Sequence, residues 1–190
     1  MQSSQKSGKK TLFILAVVFI LPFTLAATLH LVGWKASWHS YGELVQPPQS
    51  LQFTDLQDSA GKPFDTKRWE KKWTIVSVAN ACESACQAQQ QTLQKLRISL
   101  GKDLERVQQV LLIPAETKSL PQHDEFILLA GAQVAGLASQ FDMPGRPAAE
   151  SGQTYLVDPL GNLMMSYPAD YDPKGMRKDL LRLLKNSWAG

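Results

Sequence analysis

The sequence predicts an α/β protein: a central mixed sheet flanked by helices, preceded by one N-terminal transmembrane helix. Three observations carry this. Residues Thr11 to Gly33 hold no Asp, Glu, Lys or Arg. Behind them, short β-branched apolar runs alternate with stretches whose apolar residues recur every three or four positions. The central runs are apolar without interruption, as strands covered on both faces are.

The N-terminal run comes first. At 1.5 Å per residue it spans roughly 35 Å, enough for a hydrocarbon core of ~30 Å. Lys6, Lys9 and Lys10 precede it and only Lys35 follows closely. The positive-inside rule then leaves residues 1–10 in the cytoplasm and the remainder outside. Trp34, Trp38 and Tyr41 supply an interfacial aromatic belt. Pro22 sits mid-segment, which membrane helices tolerate. A cleaved signal peptide is the competing reading, but its apolar core is usually 7–15 residues long. The expectation is an uncleaved anchor over 11–33, in a bacterial-type inner membrane, with the C-terminal domain in the periplasm. His30, near the outer end, is a candidate haem ligand set against a simple interfacial residue.

Residues 34–50 contain Gly42, Pro47 and Pro48 with little periodicity and read as a linker. A domain over 51–190 follows. Leu51, Phe53 and Leu56, then the turn at 58–61, predict a hairpin at its entrance. Trp73 to Ala79 is a buried strand, and Cys82 to about Leu100 a helix with Leu93, Leu96 and Leu100 on one face. Val107 to Ile113 is the next strand. Phe126 to Phe141 reads as helical stretches broken near Gly131 and Gly136. Tyr155-Leu156-Val157 and Leu163 to Tyr167 form a hairpin around Asp158-Pro159-Leu160-Gly161-Asn162, and Pro173 opens a last amphipathic helix. The Gln-rich stretch 87–92 reads as a polar helix face. A βαβ unit followed by a ββα unit is the thioredoxin-like plan.

Composition narrows the function. The 190 residues carry a formal charge of +3, and 44% are hydrophobic. The whole excess lies before residue 47, in Lys6, Lys9, Lys10 and Lys35 against Glu43; beyond it, 16 basic and 16 acidic residues cancel. Nucleic acid is not an expected partner, because that needs a basic face on the folded domain.

The two cysteines are the informative pair. Cys82 and Cys86 fall at a strand-to-helix junction, where free N–H groups and the positive dipole end favour a thiolate. The spacing lets both sulfurs share one face of the first turn. They can form a disulfide if the first precedes the helix, or chelate Cu(I) through two thiolates. Two inert residues or a structural staple is the alternative, although so short a loop gains little chain entropy. Cys82, the more N-terminal, is expected to be the more exposed and to attack.

Together with the anchor, the entrance hairpin and Tyr155-Leu156-Val157-Asp158-Pro159-Leu160-Gly161-Asn162, this C-x-x-x-C resembles the Sco/SenC family of membrane-anchored copper-site assembly proteins. The resemblance implies a role in cytochrome c oxidase assembly, with oxidase subunits or another copper or thiol assembly factor as partners. It implies copper as the metal and Cys82 and Cys86 as the residues that handle it. The family's histidine lies five residues before the tyrosine of the Y-L-V-D strand; that position here is Glu150, and carboxylate is a poor ligand for Cu(I). His39, His123, Met143 and Met164 are the other donors, none at the family position. An ordinary thioredoxin fits less well, with its shorter C-x-x-C and a cis-proline just before the penultimate strand; here Pro147 lies eight residues before Tyr155. Three functions follow as expectations: a thiol protein of oxidase assembly, with thiol-disulfide oxidoreductase as the enzyme class it would have; a Cu(I) metallochaperone; or a non-catalytic oxidase accessory protein.

Overall fold

The structure is a computed structural model and describes residues 5–32, 40–53, 56, 63, 65, 69, 71–115 and 126–187. It divides into two units, Met1–His39 and Ser40–Gly190.

The first unit is the helix α1 (Gln5–Leu31), with Pro22 inside it. Lys10–Leu29 has a mean hydropathy of 2.6 and no buried residue, so by length and composition it suits a membrane. The hydroxyls of Thr24 and Thr28 donate to the carbonyls of Leu21 and Leu25 of their own helix, each at 2.9 Å. That satisfies them without water.

The second unit is built on a six-stranded sheet. In chain order it contains β1 (Glu43–Ser50), β2 (Trp73–Val78), α2 (Ser84–Ile98), β3 (Val107–Ile113) and β4 (Ile127–Ala130). Then come α3 (Ala135–Ala138), α4 (Ala148–Ser151), β5 (Thr154–Val157), β6 (Asn162–Tyr167) and α5 (Pro173–Asn186). The strand order is β1-β6-β5-β2-β3-β4. β2 runs parallel to β3, and β3 to β4, while the β5–β6 hairpin is antiparallel to β2. This is the predicted mixed sheet.

Each side of the sheet carries its own core. Alternation along β2 sends Ile75 to one side, where Leu93 and Leu96 of α2 and Leu180 of α5 cover it. Val76 and Val78 face the other, with Val110, Leu129, Leu137, Phe141 and Tyr155. Each fully buried Leu or Phe contributes about 1.5–3 kcal/mol, which is why the central strands are apolar throughout.

Two elements correct the expectations from sequence. Residues 43–50, read as linker, form the edge strand β1, paired antiparallel with β6 from Glu43↔Ser166 to Ser50↔Asn162. The register shifts between Leu44 and Gln49, the interval that holds Pro47 and Pro48. Proline has no donor for a ladder and is tolerated at edges and bulges, so the two prolines mark an irregular edge strand and not a stalk. Residues 127–130, read as part of a helical stretch, form β4. A four-residue apolar run has no periodicity that separates strand from helix. The entrance hairpin falls largely outside the described residues; Leu51 and Leu56 are buried in the core.

The start of this unit is fastened to α5 by one buried carboxylate. Asp179 Oδ2 accepts from the backbone N–H groups of Tyr41 (2.8 Å) and Gly42 (3.2 Å) and from the Tyr167 hydroxyl (3.3 Å). Burial and the Asp179 charge push the Tyr167 phenol well above its ordinary pKa, so it remains a donor. Asp179 is 3% exposed. Asp179→Ala strands three donors and should cost about 3 kcal/mol. In a thermal melt of the full chain this should appear as a fall of roughly 10 °C. A change of less than ~1 kcal/mol would show that these contacts do not hold the segment.

Candidate functional site: a disulfide in an acidic cleft

β2 delivers the first cysteine. Its ladder with β3 continues one residue past the strand, where the Ala79 N–H donates to the Leu112 carbonyl at 3.0 Å. The chain then crosses Asn80 and Ala81 to Cys82, and α2 begins at Ser84 with Cys86 in its first turn. Cys82 and Cys86 form a disulfide, with Cα atoms 4.9 Å apart. The condition set by the spacing, that the first cysteine precede the helix, is met. The Gln87 side chain donates to the Cys82 carbonyl at 3.3 Å and braces the loop.

The two sulfurs differ in surroundings. Cys82 is 9% exposed and packs against Leu111, Ile113 and Leu128. Cys86 is half-buried and lines an open cleft of about 460 Å³. Cys82 is therefore not the more exposed of the two. The helix explains the reversal: the first cysteine ends a strand connection folded onto β3 and β4, while the second rides the outer side of the first helical turn.

Glu150 lines the same cleft. It sits in α4, immediately ahead of β5, and Thr154 at the start of β5 pairs with Ser77 near the end of β2. The antiparallel register thus brings the residue five before Tyr155 to the end of the sheet where the cysteines lie. Asp142 Oδ1 accepts from the Ala148 N–H at 2.7 Å and holds the start of α4. Gly152, with φ +63°, turns the chain from α4 towards β5.

Gln89 joins the two walls. Its Nε2 donates to the Gly152 carbonyl (2.9 Å) and the Thr154 hydroxyl (3.0 Å). The next residue, Gln90, is buried and accepts from Gln109 Nε2 at 2.8 Å. The stretch 87–92 is thus not simply a polar outer face. Two of its glutamines turn inward: Gln89 Nε2 donates to the facing wall, whereas Gln90 accepts through Oε1 and its own buried Nε2 meets no acceptor among the described residues. The only signal in the sequence was their spacing of three and four from Cys86.

The other candidate donors are elsewhere. Met143 lines a separate cleft with Glu43 and Pro47, and Met164 packs against the core under α5. His39, His123 and the side chain of His30 lie outside the described residues. Among the described residues no three His, Cys, Asp or Glu side chains are placed to hold a metal ion. As a disulfide the two sulfurs are not thiolate ligands. Once reduced, they would offer a soft pair beside a hard carboxylate.

The family described as "Transmembrane-like, thioredoxin-like, C-terminal domain" matches residues 73–187. The chain belongs to that family. Its fold is also that of solved Sco proteins. Apo Sco1 from Thermus thermophilus is 22% identical with a TM-score of 0.57, covering 78% of this chain and 99% of that one. Yeast Sco1 with copper bound is 19% identical with a TM-score of 0.55, covering 74% and 91%. BsSco is described as a member of the Sco family of cytochrome c oxidase assembly proteins in which a disulfide switch was identified. It is 14% identical with a TM-score of 0.54, covering 74% and 96%. At these identities the matches show a shared fold. No curated protein matches the chain.

The thioredoxin-like, Sco-like reading is thus shown at the level of fold, and its motifs separate into two kinds. The turn Asp158 to Asn162 is structural. Asp158 Oδ1 accepts from the N–H groups of Leu160 (2.9 Å) and Asn162 (2.8 Å), and Gly161 adopts φ +84°. It lies at the opposite end of β2 from the cysteines, since Thr74 pairs with Val157 and Ser77 with Thr154. Of the motif residues singled out above, Cys82, Cys86 and Glu150 lie together at the other end of β2.

Proposed function

We propose that this is a membrane-tethered Sco-like thiol protein of cytochrome c oxidase assembly, working by dithiol–disulfide exchange through Cys82 and Cys86. The observation that carries this is the disulfide itself: it joins a strand end to a helix start, with one sulfur in a cleft and the other buried behind it. A staple closing so short a loop contributes only about 2 kcal/mol through chain entropy. The burial difference sets the roles. In the reduced protein the Cys86 thiolate attacks a partner disulfide and releases one partner thiolate. The Cys82 thiolate then attacks Cys86 Sγ in the mixed disulfide and releases the second. Two electrons pass to the partner, whose thiolates take up two protons, and Cys82–Cys86 is re-formed.

The apolar helix suits a single-pass anchor, and by the positive-inside rule the lysines before it favour a cytoplasmic N-terminus and a periplasmic domain. Thiols can be oxidised there. The copper-bound and assembly-linked proteins of the same fold support the oxidase copper site as the setting.

Removal of the gene from its own host tests the assignment. Assembled cytochrome c oxidase, followed by its activity and haem spectrum in membranes, should fall severalfold and return with the native chain. The Cys86→Ser chain should not restore it. Full restoration by that variant would leave an accessory protein with an idle site.

A second reading keeps the same residues. The reduced pair would accept Cu(I) through two thiolates and pass it on, with copper as cargo. The adjacency of the two sulfurs favours it, and the carboxylate at Glu150 makes such binding weaker than with imidazole.

A further inference from the structure

The cleft beside Cys86 is one-signed. Glu83 and Glu150 line it, and among its described lining residues there is no Lys, Arg or His. An adjoining cleft shares Val78, Asn80, Ala149 and Glu150 with it, adds Asp142, and likewise has no cation among its described lining residues. This is unexpected in a domain whose charges balance after residue 47.

Glu83 and Glu150 are also uncommitted. Glu83 occupies the cap position of α2, yet its side chain makes no capping hydrogen bond. Among the described residues the ion pairs are Arg106–Asp103 and Arg146–Glu43, so neither Glu83 nor Glu150 is paired. The nearest cations on α2 are Lys95 and Arg97, in its last turn. At 1.5 Å per residue they lie about 13–17 Å along the helix from Cys86, beyond a Debye length at 0.1 M salt.

We propose that Glu83 and Glu150 select the exchange partner of Cys86: a cysteine or cystine flanked by positive charge, with anionic thiols turned away. This rests on the exchange function proposed above. The selection is electrostatic. Any thiol that reaches Cys86 Sγ must enter a field set by two carboxylates with no counter-charge among the described residues of the cleft wall. Attack by an external thiolate forms an R–S–Sγ bond to Cys86 and expels the Cys82 thiolate. A second external thiolate then attacks the R-borne sulfur and frees Cys86. The external pair leaves as R–S–S–R, having supplied two electrons. A cation on R is attracted at the transition state of the first step, and an anion repelled.

Reduction of the oxidised full chain tests this, in an uncharged detergent at 50 mM salt. Cysteamine, 2-mercaptoethanol and 3-mercaptopropionate serve as cationic, neutral and anionic probes. Each rate, per thiolate, is divided by that probe's rate with bis(2-hydroxyethyl) disulfide, which removes intrinsic nucleophilicity. The ratio of the cationic to the anionic value should be on the order of tenfold. It should fall towards one at 1 M salt, where screening acts over ~3 Å. It should also collapse in the Glu83→Gln/Glu150→Gln double variant and persist in Glu105→Gln, which removes an exposed charge outside the cleft. A ratio near one in the native chain, or one that survives the double variant, overturns the proposal. If no probe of any charge opens the disulfide, the exchange function falls and this specificity with it.

Discussion

Cys82→Ser and Cys86→Ser should fail in different ways. In the full chain, Cys86→Ser should reduce exchange with a partner disulfide to background, because it removes the sulfur that lines the cleft. Cys82→Ser leaves Cys86 able to attack but removes the sulfur that would release the product. That variant should accumulate as a mixed disulfide, visible as a dithiothreitol-sensitive mass addition. The asymmetry follows from burial alone. Cys82 is packed among Leu111, Ile113 and Leu128, where no partner sulfur reaches it but Cys86 does. Each variant loses about 2 kcal/mol of loop constraint, so folding should be verified by circular dichroism before exchange is scored. Both variants should also lose Cu(I) binding, since one thiolate remains where two are needed. Trapping by Cys86→Ser instead would exchange the two roles.

The second large effect concerns Glu150. The register of β5 against β2 brings this residue to the cleft that holds Cys86. Its oxygens suit hard ions, whereas the cysteines are soft. Reduced native chain should therefore bind Cu(II) weakly. Glu150→His supplies imidazole at the same backbone position, which completes a nitrogen–sulfur set. Cu(II) affinity should rise by at least about a hundredfold, the scale on which even outer-shell ligand changes act. An intense thiolate-to-copper charge-transfer absorption should appear with it. No new band would show that α4 holds position 150 out of coordinating reach. Tight Cu(II) binding by the native chain, lost in His123→Ala, would identify a relocated ligand.

The sequence disclosed the functional pair more readily than the elements around it. Cys82 and Cys86 were legible because a strand of β-branched residues ended just before them and a helix pattern began at once. Glu150 was legible only by counting back from Tyr155, since nothing local to Ala148-Ala149-Glu150-Ser151 marks a cleft wall. The antiparallel pairing of β5 with β2 makes that count meaningful. Gln89 was hidden, because its role depends on Gly152 and Thr154, more than 60 positions away. β1 was missed because its two prolines carry the usual mark of a linker. What reverses that reading is the neighbouring strand β6, a partner that local sequence does not reveal. β4 was missed because four apolar residues specify burial without specifying a period. The exposure of the cysteines went the wrong way for the same reason: chain order does not report which side of a helical turn faces solvent.

The proposed exchange needs an accessible, reducible disulfide on the outer side of the membrane. Intact cells expressing the full chain, treated briefly with dithiothreitol and then with a membrane-impermeant maleimide, test it most directly. After reduction each chain should carry at least one label by mass, on the cleft-lining Cys86, and none without reduction, with no need for permeabilisation or denaturant. Labelling that appears only after denaturation would make Cys82–Cys86 a structural staple, and labelling that requires permeabilised cells would place the domain on the cytoplasmic side.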